Sequence, residues 1–220
     1  MERIKVLAAP GPVSYPMIAA NDTRFEIIFS KEGDADIVLD SSVSMIKRGL
    51  RANVSLISGL SGLAPGIGKK IAVWRKGSAG DVLARAILSL KGLNSDIIYV
   101  DDRARIREML SNGEVDSAVM TIADGKILTF EELLAENGIE TPGSCVAKVS
   151  DPAKEAFAEA YEEGLKRFRE NPEQTSNAVS SVLPVKTSSE FIKNTILKSR
   201  TAVKDIGNDE AFIALVKKFS

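Results

Sequence analysis

The feature that most constrains this fold is a repeated pair of segments. An apolar strand runs into a glycine-containing turn, and farther on a Gly-acid-x-Asp turn runs into a second strand that stops at a hydroxyl. The first copy is Ile4-Lys5-Val6-Leu7-Ala8-Ala9-Pro10-Gly11 with Gly33-Asp34-Ala35-Asp36-Ile37-Val38-Leu39-Asp40-Ser41. The second is Lys70-Ile71-Ala72-Val73-Trp74-Arg75-Lys76-Gly77-Ser78 with Gly113-Glu114-Val115-Asp116-Ser117-Ala118-Val119-Met120-Thr121. Continuous apolar strands alternating with helical stretches predict an α/β fold in two similar halves. Ligands of open α/β sheets bind beyond the carboxyl ends of the strands, so two such halves imply a small molecule held in a central cleft between two lobes.

The expected organisation is a discontinuous first lobe, residues 1–66 and 144–220, and a second lobe, 67–143. The Gly/Pro/Ser-rich run from Ser58 to Gly68 marks the first crossing, and Thr141-Pro142-Gly143 the return. After a strand from Ser144 to Val149 the remainder reads as helical: Ala153 to Glu170, Pro172 to about Val182, Ser188 to Thr201 and Glu210 to Phe219.

Composition removes several classes of chemistry. Lys plus Arg number 29 against 30 Asp plus Glu, so no global field draws nucleic acid or an anionic membrane. The chain has no histidine and a single cysteine, Cys145. Ser-His-Asp and Cys-His catalysis are therefore excluded, and the ligand sets of zinc, haem and iron–sulfur centres are missing. No metal site and no cofactor are expected. One thiol cannot form an internal disulfide, and the first residues enter a strand without the apolar run of an export signal, which together predict a cytoplasmic protein. No apolar stretch approaches the ~20 residues that span a bilayer. The expected partner is a small-molecule ligand, and a homodimer stays open.

The candidate site residues lie where strands give way to helices. Ser78 opens a helix with Asp81 three residues on, and the amides of Ala79 and the following glycine point toward an anion; Arg75 and Lys76 add charge. The competing role for Ser78 is simply to cap its own helix. Ser14 and Tyr15 stand at the equivalent turn of the first half, where Ser14 reads as a cap and a tyrosine can stack on a solute. Ser41, Ser42 and Thr121 end the paired strands, with capping as their alternative role. The pairs Asp34/Asp36 and Glu114/Asp116 precede their strands, at the wrong end of the sheet for the cleft. Asp101-Asp102 fits the start of an arginine-rich helix; Trp74 reads as core, with lining the cleft as its alternative role, and Cys145 as a buried thiol rather than a nucleophile.

Gly68 to Val73, Gly77-Ser78, Ile98-Tyr99-Val100 and Gly113 to Val119 resemble the second lobe of type-2 periplasmic-binding-protein folds, especially the sulfonate, nitrate and thiamine-precursor binding group. The return segment from Ser144 to Val149, the helix after it and Asn171-Pro172-Glu173 are similar to that group's carboxyl-terminal part. The chain also resembles an archaeal family related to solute-binding lipoproteins. The resemblance implies two α/β lobes with C-terminal helices, closing by a hinge on a small anionic or zwitterionic solute, with the Ser14, Ser41, Ser78 and Thr121 loops lining the cleft. The fold also houses cytoplasmic enzymes of a menaquinone route, which leaves an enzyme acting on a carboxylate metabolite as the alternative.

Overall fold

A computed structural model describes residues 3–220 and divides the chain into two compact units. The first runs up to Ser58 and resumes over Pro142–Gly207; the second comprises Gly59–Thr141 and Asn208–Ser220.

In the first unit, β1 (Ile4–Ala8), α1 (Tyr15–Ala20), β2 (Phe25–Ile28), β3 (Ile37–Ser41), α2 (Ser42–Lys47) and β4 (Val54–Ser58) follow in order. In the second come β5 (Ser61–Ala64), β6 (Lys70–Trp74), α3 (Ala79–Leu90), β7 (Asp96–Val100), α4 (Arg103–Ser111), β8 (Ser117–Thr121), β9 (Leu128–Thr129) and α5 (Phe130–Ala135). The chain returns to the first unit for β10 (Cys145–Val149), α6 (Lys154–Glu170), α7 (Pro172–Val182), α8 (Ser189–Lys198) and β11 (Arg200–Asp205), then ends in the second with α9 (Glu210–Phe219).

Among the described residues the first sheet has the order β11-β4-β10-β3-β1-β2 and the second β7-β6-β8-β5-β9. β1 is parallel to β2 and β3, and β6 is parallel to β7 and β8, as the repeat predicts. β10 enters antiparallel between β3 and β4, which joins the return segment to the first sheet.

The structure differs from the sequence reading in four places. The Ser58 to Gly68 run, expected as a crossing loop, contains β5, which is antiparallel to both β8 and β9. Gly62 makes that possible, because a Cβ there would stand 2.1 Å from the carbonyl oxygen of Leu128. The change of unit therefore falls at Ser58, ahead of β5. Arg200–Asp205, placed at a helix end and beyond, is instead an edge strand on β4. The last residues, 208–220, do not stay with the first lobe as expected, since α9 buries Phe212, Ile213, Leu215 and Val216 and packs on α3.

One helix crossing supports the first unit's edge. α6 lies against α1 so closely that a Cβ on Gly164 would fall 1.9 Å from the carbonyl oxygen of Pro16. The Tyr161 hydroxyl donates to the Val13 carbonyl at 3.2 Å, and Arg167 Nη1 donates to the Ala19 carbonyl at 2.9 Å. A mid-helix glycine costs up to ~1 kcal/mol against alanine, so its presence reflects this approach. Gly164→Ala is expected to destabilise the chain by about 2 kcal/mol despite better helix propensity, because overpacking outweighs it. A urea unfolding midpoint equal to or above wild type would show that the crossing relaxes freely.

Candidate functional site

In the first unit, β1 and β3 pair from Val6↔Ile37 to Ala8↔Leu39, so both deliver their following loops to one edge. Ser14 does not cap α1 as expected. It ends a short 3-10 turn, Pro12–Ser14, in right-handed helical conformation, and its Oγ donates to the Gly11 carbonyl at 2.9 Å. Ser14 and Tyr15 are both buried. Ser41 is the cap of α2: its backbone is extended and its Oγ accepts from Ser44 N–H at 3.2 Å, which leaves its own hydroxyl hydrogen free to donate. Ser42 is buried, and its amide donates to the Ser144 carbonyl at 3.1 Å.

Asp40, which the sequence reading passed over, is the buried anion behind this edge. Its carboxylate accepts from Ser41 N–H at 2.8 Å, Ser44 Oγ at 2.6 Å and Arg48 Nη1 at 3.2 Å, with Lys31 Nζ at 3.5 Å. A buried carboxylate held by this many donors fixes the first turn of α2 and hence Ser41. The only available signal was an acid ending an otherwise apolar strand.

In the second unit, β6 pairs with β8 at Ile71↔Ser117 and with β7 through Trp74↔Val100, so the loops after all three strands share an edge. Arg75 follows β6 with a left-handed backbone, φ 52°, and Gly77 has φ 78°. Ser78 caps α3, accepting from Asp81 N–H at 3.2 Å. The amides of Ala79 and Gly80 head the helix with no acceptor among the described residues, at the positive end of its dipole. Gly80 sits against β8, where a Cβ would meet Val119 Cγ1 at 2.7 Å. Thr121 caps the turn Ile122–Asp124, and its Oγ1 lies 2.6 Å from Asp124 Oδ2, which fixes it as a donor there. In the capping box the same oxygen accepts from the Asp124 N–H, which leaves one lone pair able to accept.

Asp81 is the second residue missed as more than a cap partner. Its side chain is fully buried and accepts from Gly77 N–H at 2.7 Å, from Tyr99 OH at 2.9 Å and from two nitrogens of Arg85 at 3.0 Å. Arg85 also donates to the Phe219 carbonyl of α9. Burial works to raise the Asp81 pKa, but the Arg85, Gly77 and Tyr99 hydrogen bonds outweigh it and hold the carboxyl below its ordinary value. Its ties to Gly77, α3, β7 and α9 lock the loop that presents Ser78.

Of the acidic pairs set aside in the sequence, Asp36 and Asp116 hold strand starts and Glu114 pairs with Arg105 at 2.6 Å. Asp36 accepts from Lys5 N–H at 3.0 Å, and Asp116 from Lys69 and Lys70 N–H at 3.2 and 3.0 Å, all at the amino ends of the strands. A shallow depression of about 550 Å³ lined by Lys69, Leu93, Asn94, Ser95 and Asp96 also lies at that end, away from the helix starts. Cys145 is buried in β10 opposite Ser41 and Ile57, which gives it no access as a nucleophile. Among the described residues no three His, Cys, Asp or Glu side chains group as metal ligands, and no helix is long and apolar enough to cross a membrane.

A family model described as a protein of unknown function (DUF3834) matches residues 1–202. No curated protein matches the sequence. Among solved structures, the fold is similar to that of a protein from Thermoplasma volcanium assigned to nitrate transport, with a TM-score of 0.73 and 23% identity over 98% of this chain and 90% of that one. An ABC transporter structure from Parabacteroides distasonis follows at 0.66 and 14%, covering 99% and 92%. The alkanesulfonate-binding protein of Xanthomonas axonopodis pv. citri, bound to MOPS, gives 0.55 and 12%, covering 96% and 88%. The chain therefore has the α/β fold of type-2 periplasmic binding proteins.

The Asp81 network sets a pH dependence. A carboxyl held below its ordinary value of 3.8 contributes stability that is present above that value and is lost as pH falls through the lower folded value. The melting temperature of Asp81→Asn is thus expected to lie below wild type by a constant margin at neutral pH, and the margin to narrow below about pH 4. A margin that stays constant down to pH 2, read by differential scanning calorimetry, would show that Asp81 ionisation is not what holds the loop.

Proposed function

We propose, on the premise that the chain belongs to the DUF3834 family of proteins of unknown function, that it binds a small anionic or zwitterionic solute by closure of its two units. The observation that carries this reading is shared by both units: at the carboxyl edge of each sheet a serine cap, Ser41 or Ser78, keeps a hydroxyl hydrogen free to donate. The fold supports it, since the similar structures are of transport and solute-binding proteins, one of them holding a sulfonate.

The mechanism needs no catalytic group. The Ser78 hydroxyl and the Ala79 and Gly80 amides supply donors for a carboxylate, sulfonate or phosphate, Arg75 supplies charge, and Thr121 offers an acceptor to an ammonium or hydroxyl. Ser41 and the start of α2 supply the first unit's contact, with Ser42 holding the turn from within. Ser14 and Tyr15 support the first edge from buried positions.

The test is a thermal-shift and calorimetric screen of sulfonates, carboxylates, phosphates and thiamine precursors. For any hit, Ser78→Ala is expected to weaken binding by about tenfold to a hundredfold, the loss of one hydrogen bond to a charged group at roughly 1.5–3 kcal/mol. Ala79→Pro removes a backbone donor at the one helical position that tolerates proline, and should weaken binding similarly in a folded protein. A solute bound with unchanged affinity by both variants would return Ser78 to the role of a cap alone.

A further inference from the structure

The carboxyl edge of the second unit carries more positive charge than its ion pairs use. Trp74, the only tryptophan in the chain, ends β6, and two arginines lie over its ring: Arg75 Cζ is 4.8 Å from the centroid and Arg103 Cζ 4.5 Å. The indole is itself fixed, since Nε1 donates to the Asp101 carbonyl at 3.1 Å and the ring packs against the cluster of Ala72, Ile106, Met109, Val115 and Ala118. Arg75 has one ion pair, Nε to Asp101 Oδ1 at 3.3 Å, and the Asp101 side chain is 92% exposed. Neither Arg103 nor Lys76 has a carboxylate partner among the described residues. Arg107, by contrast, is taken up by Asp124 at 2.7 Å.

Stability alone does not account for this arrangement. Arg103 is the first residue of α4, where the helix dipole repels a cation. Arg75 holds a left-handed backbone that a β-carbon disfavours. A guanidinium over an aromatic ring uses its face and leaves its in-plane N–H donors free, in the fork that matches an oxyanion. Two such groups, with Cζ 4.8 and 4.5 Å from one ring centroid, bring two positive charges to the same indole, and the exposed pair to Asp101 is weak enough for an incoming anion to displace.

The geometry points to a clamp for a doubly charged oxyanion: Arg75 and Arg103, held on Trp74, take a phosphate, phosphomonoester or sulfate group in preference to a monoanion such as nitrate or a sulfonate. This narrows the solute class and rests on reading the Arg75–Ser78 loop as the solute-facing edge. Arg103 has no part in the sequence-derived site, because nothing in the sequence brings the start of α4 to the end of β6.

Trp74 fluorescence of the full chain reports the clamp directly. Sulfate, inorganic phosphate at pH 8 and glycerol 2-phosphate are titrated at constant ionic strength against nitrate, methanesulfonate and chloride, and each Kd is checked by equilibrium dialysis or calorimetry. Saturable binding of the dianions is expected, at least tenfold tighter than methanesulfonate. Arg75→Ala and Arg103→Ala should each weaken it tenfold or more, and Arg103→Lys should restore only part, since lysine returns the charge without the fork. Tighter binding of glycerol 2-phosphate than of phosphate would assign the clamp to an organic phosphate, and the reverse to the inorganic ion. Monoanions binding as tightly as dianions, a chloride effect of equal size, or unchanged affinity in both alanine variants would overturn the clamp. Dianion binding untouched by Ser78→Ala would keep the clamp and remove the Ser78 role, whereas a metabolite bound equally by wild type and both arginine variants would do the opposite.

Discussion

In each sheet a single aspartate sets which residues reach the far edge. Asp36 stands just before β3 and Asp116 just before β8, and each carboxylate takes the backbone N–H at the start of the neighbouring parallel strand, Lys5 or Lys70. Parallel strands are joined by slanted, evenly spaced bonds, and a slip of one residue would turn every side chain to the opposite face. The aspartate removes that freedom at the amino end. Both strands then run five residues and stop at a hydroxyl, Ser41 in one case and Thr121 in the other. The carboxyl-end loops inherit their positions from these bonds, although the bonds themselves lie at the opposite end of the sheet.

The strands that carry this frame were legible because they are buried on both faces and written as unbroken apolar runs, Val6-Leu7-Ala8 and Ile71-Ala72-Val73 among them. β5 was not, because Ser61-Gly62-Leu63-Ala64 has one large apolar residue and reads by composition as a linker. Gly62 is there for the backbone of Leu128, a tertiary neighbour that no local pattern announces. β11 failed for a related reason: it has a strand partner on one side only, and a mostly polar sequence suffices for an edge. The amphipathic face of α9 was visible as a periodicity, but periodicity does not say which unit offers the matching face.

The site divides along the same line. Ser41 and Ser78 were readable as caps because a cap bonds within three residues of itself. Asp40 and Asp81 were not readable as buried anions, since Asp40 is held by Lys31 and Arg48 from other segments, and Asp81, besides its helix neighbour Arg85, by Tyr99 of β7. Ser14 was misread because Pro12-Val13-Ser14 closes its own tight turn before α1 begins, and that turn consumes the hydroxyl.

The order β11-β4-β10-β3 has a consequence for how this chain takes shape as it is made. Among the described residues β4 pairs only with β10 and β11, and both are encoded after the whole of Gly59–Thr141. When β4 leaves the ribosome it therefore has no strand to pair with, and the first sheet waits with a gap where β10 belongs. The second unit's own sheet lies entirely within that intervening stretch, so all of its strands are available first. Strands β1 to β4 are thus completed by strands encoded well after them, and α9, encoded after β11, packs on α3 in a unit whose strands all precede it.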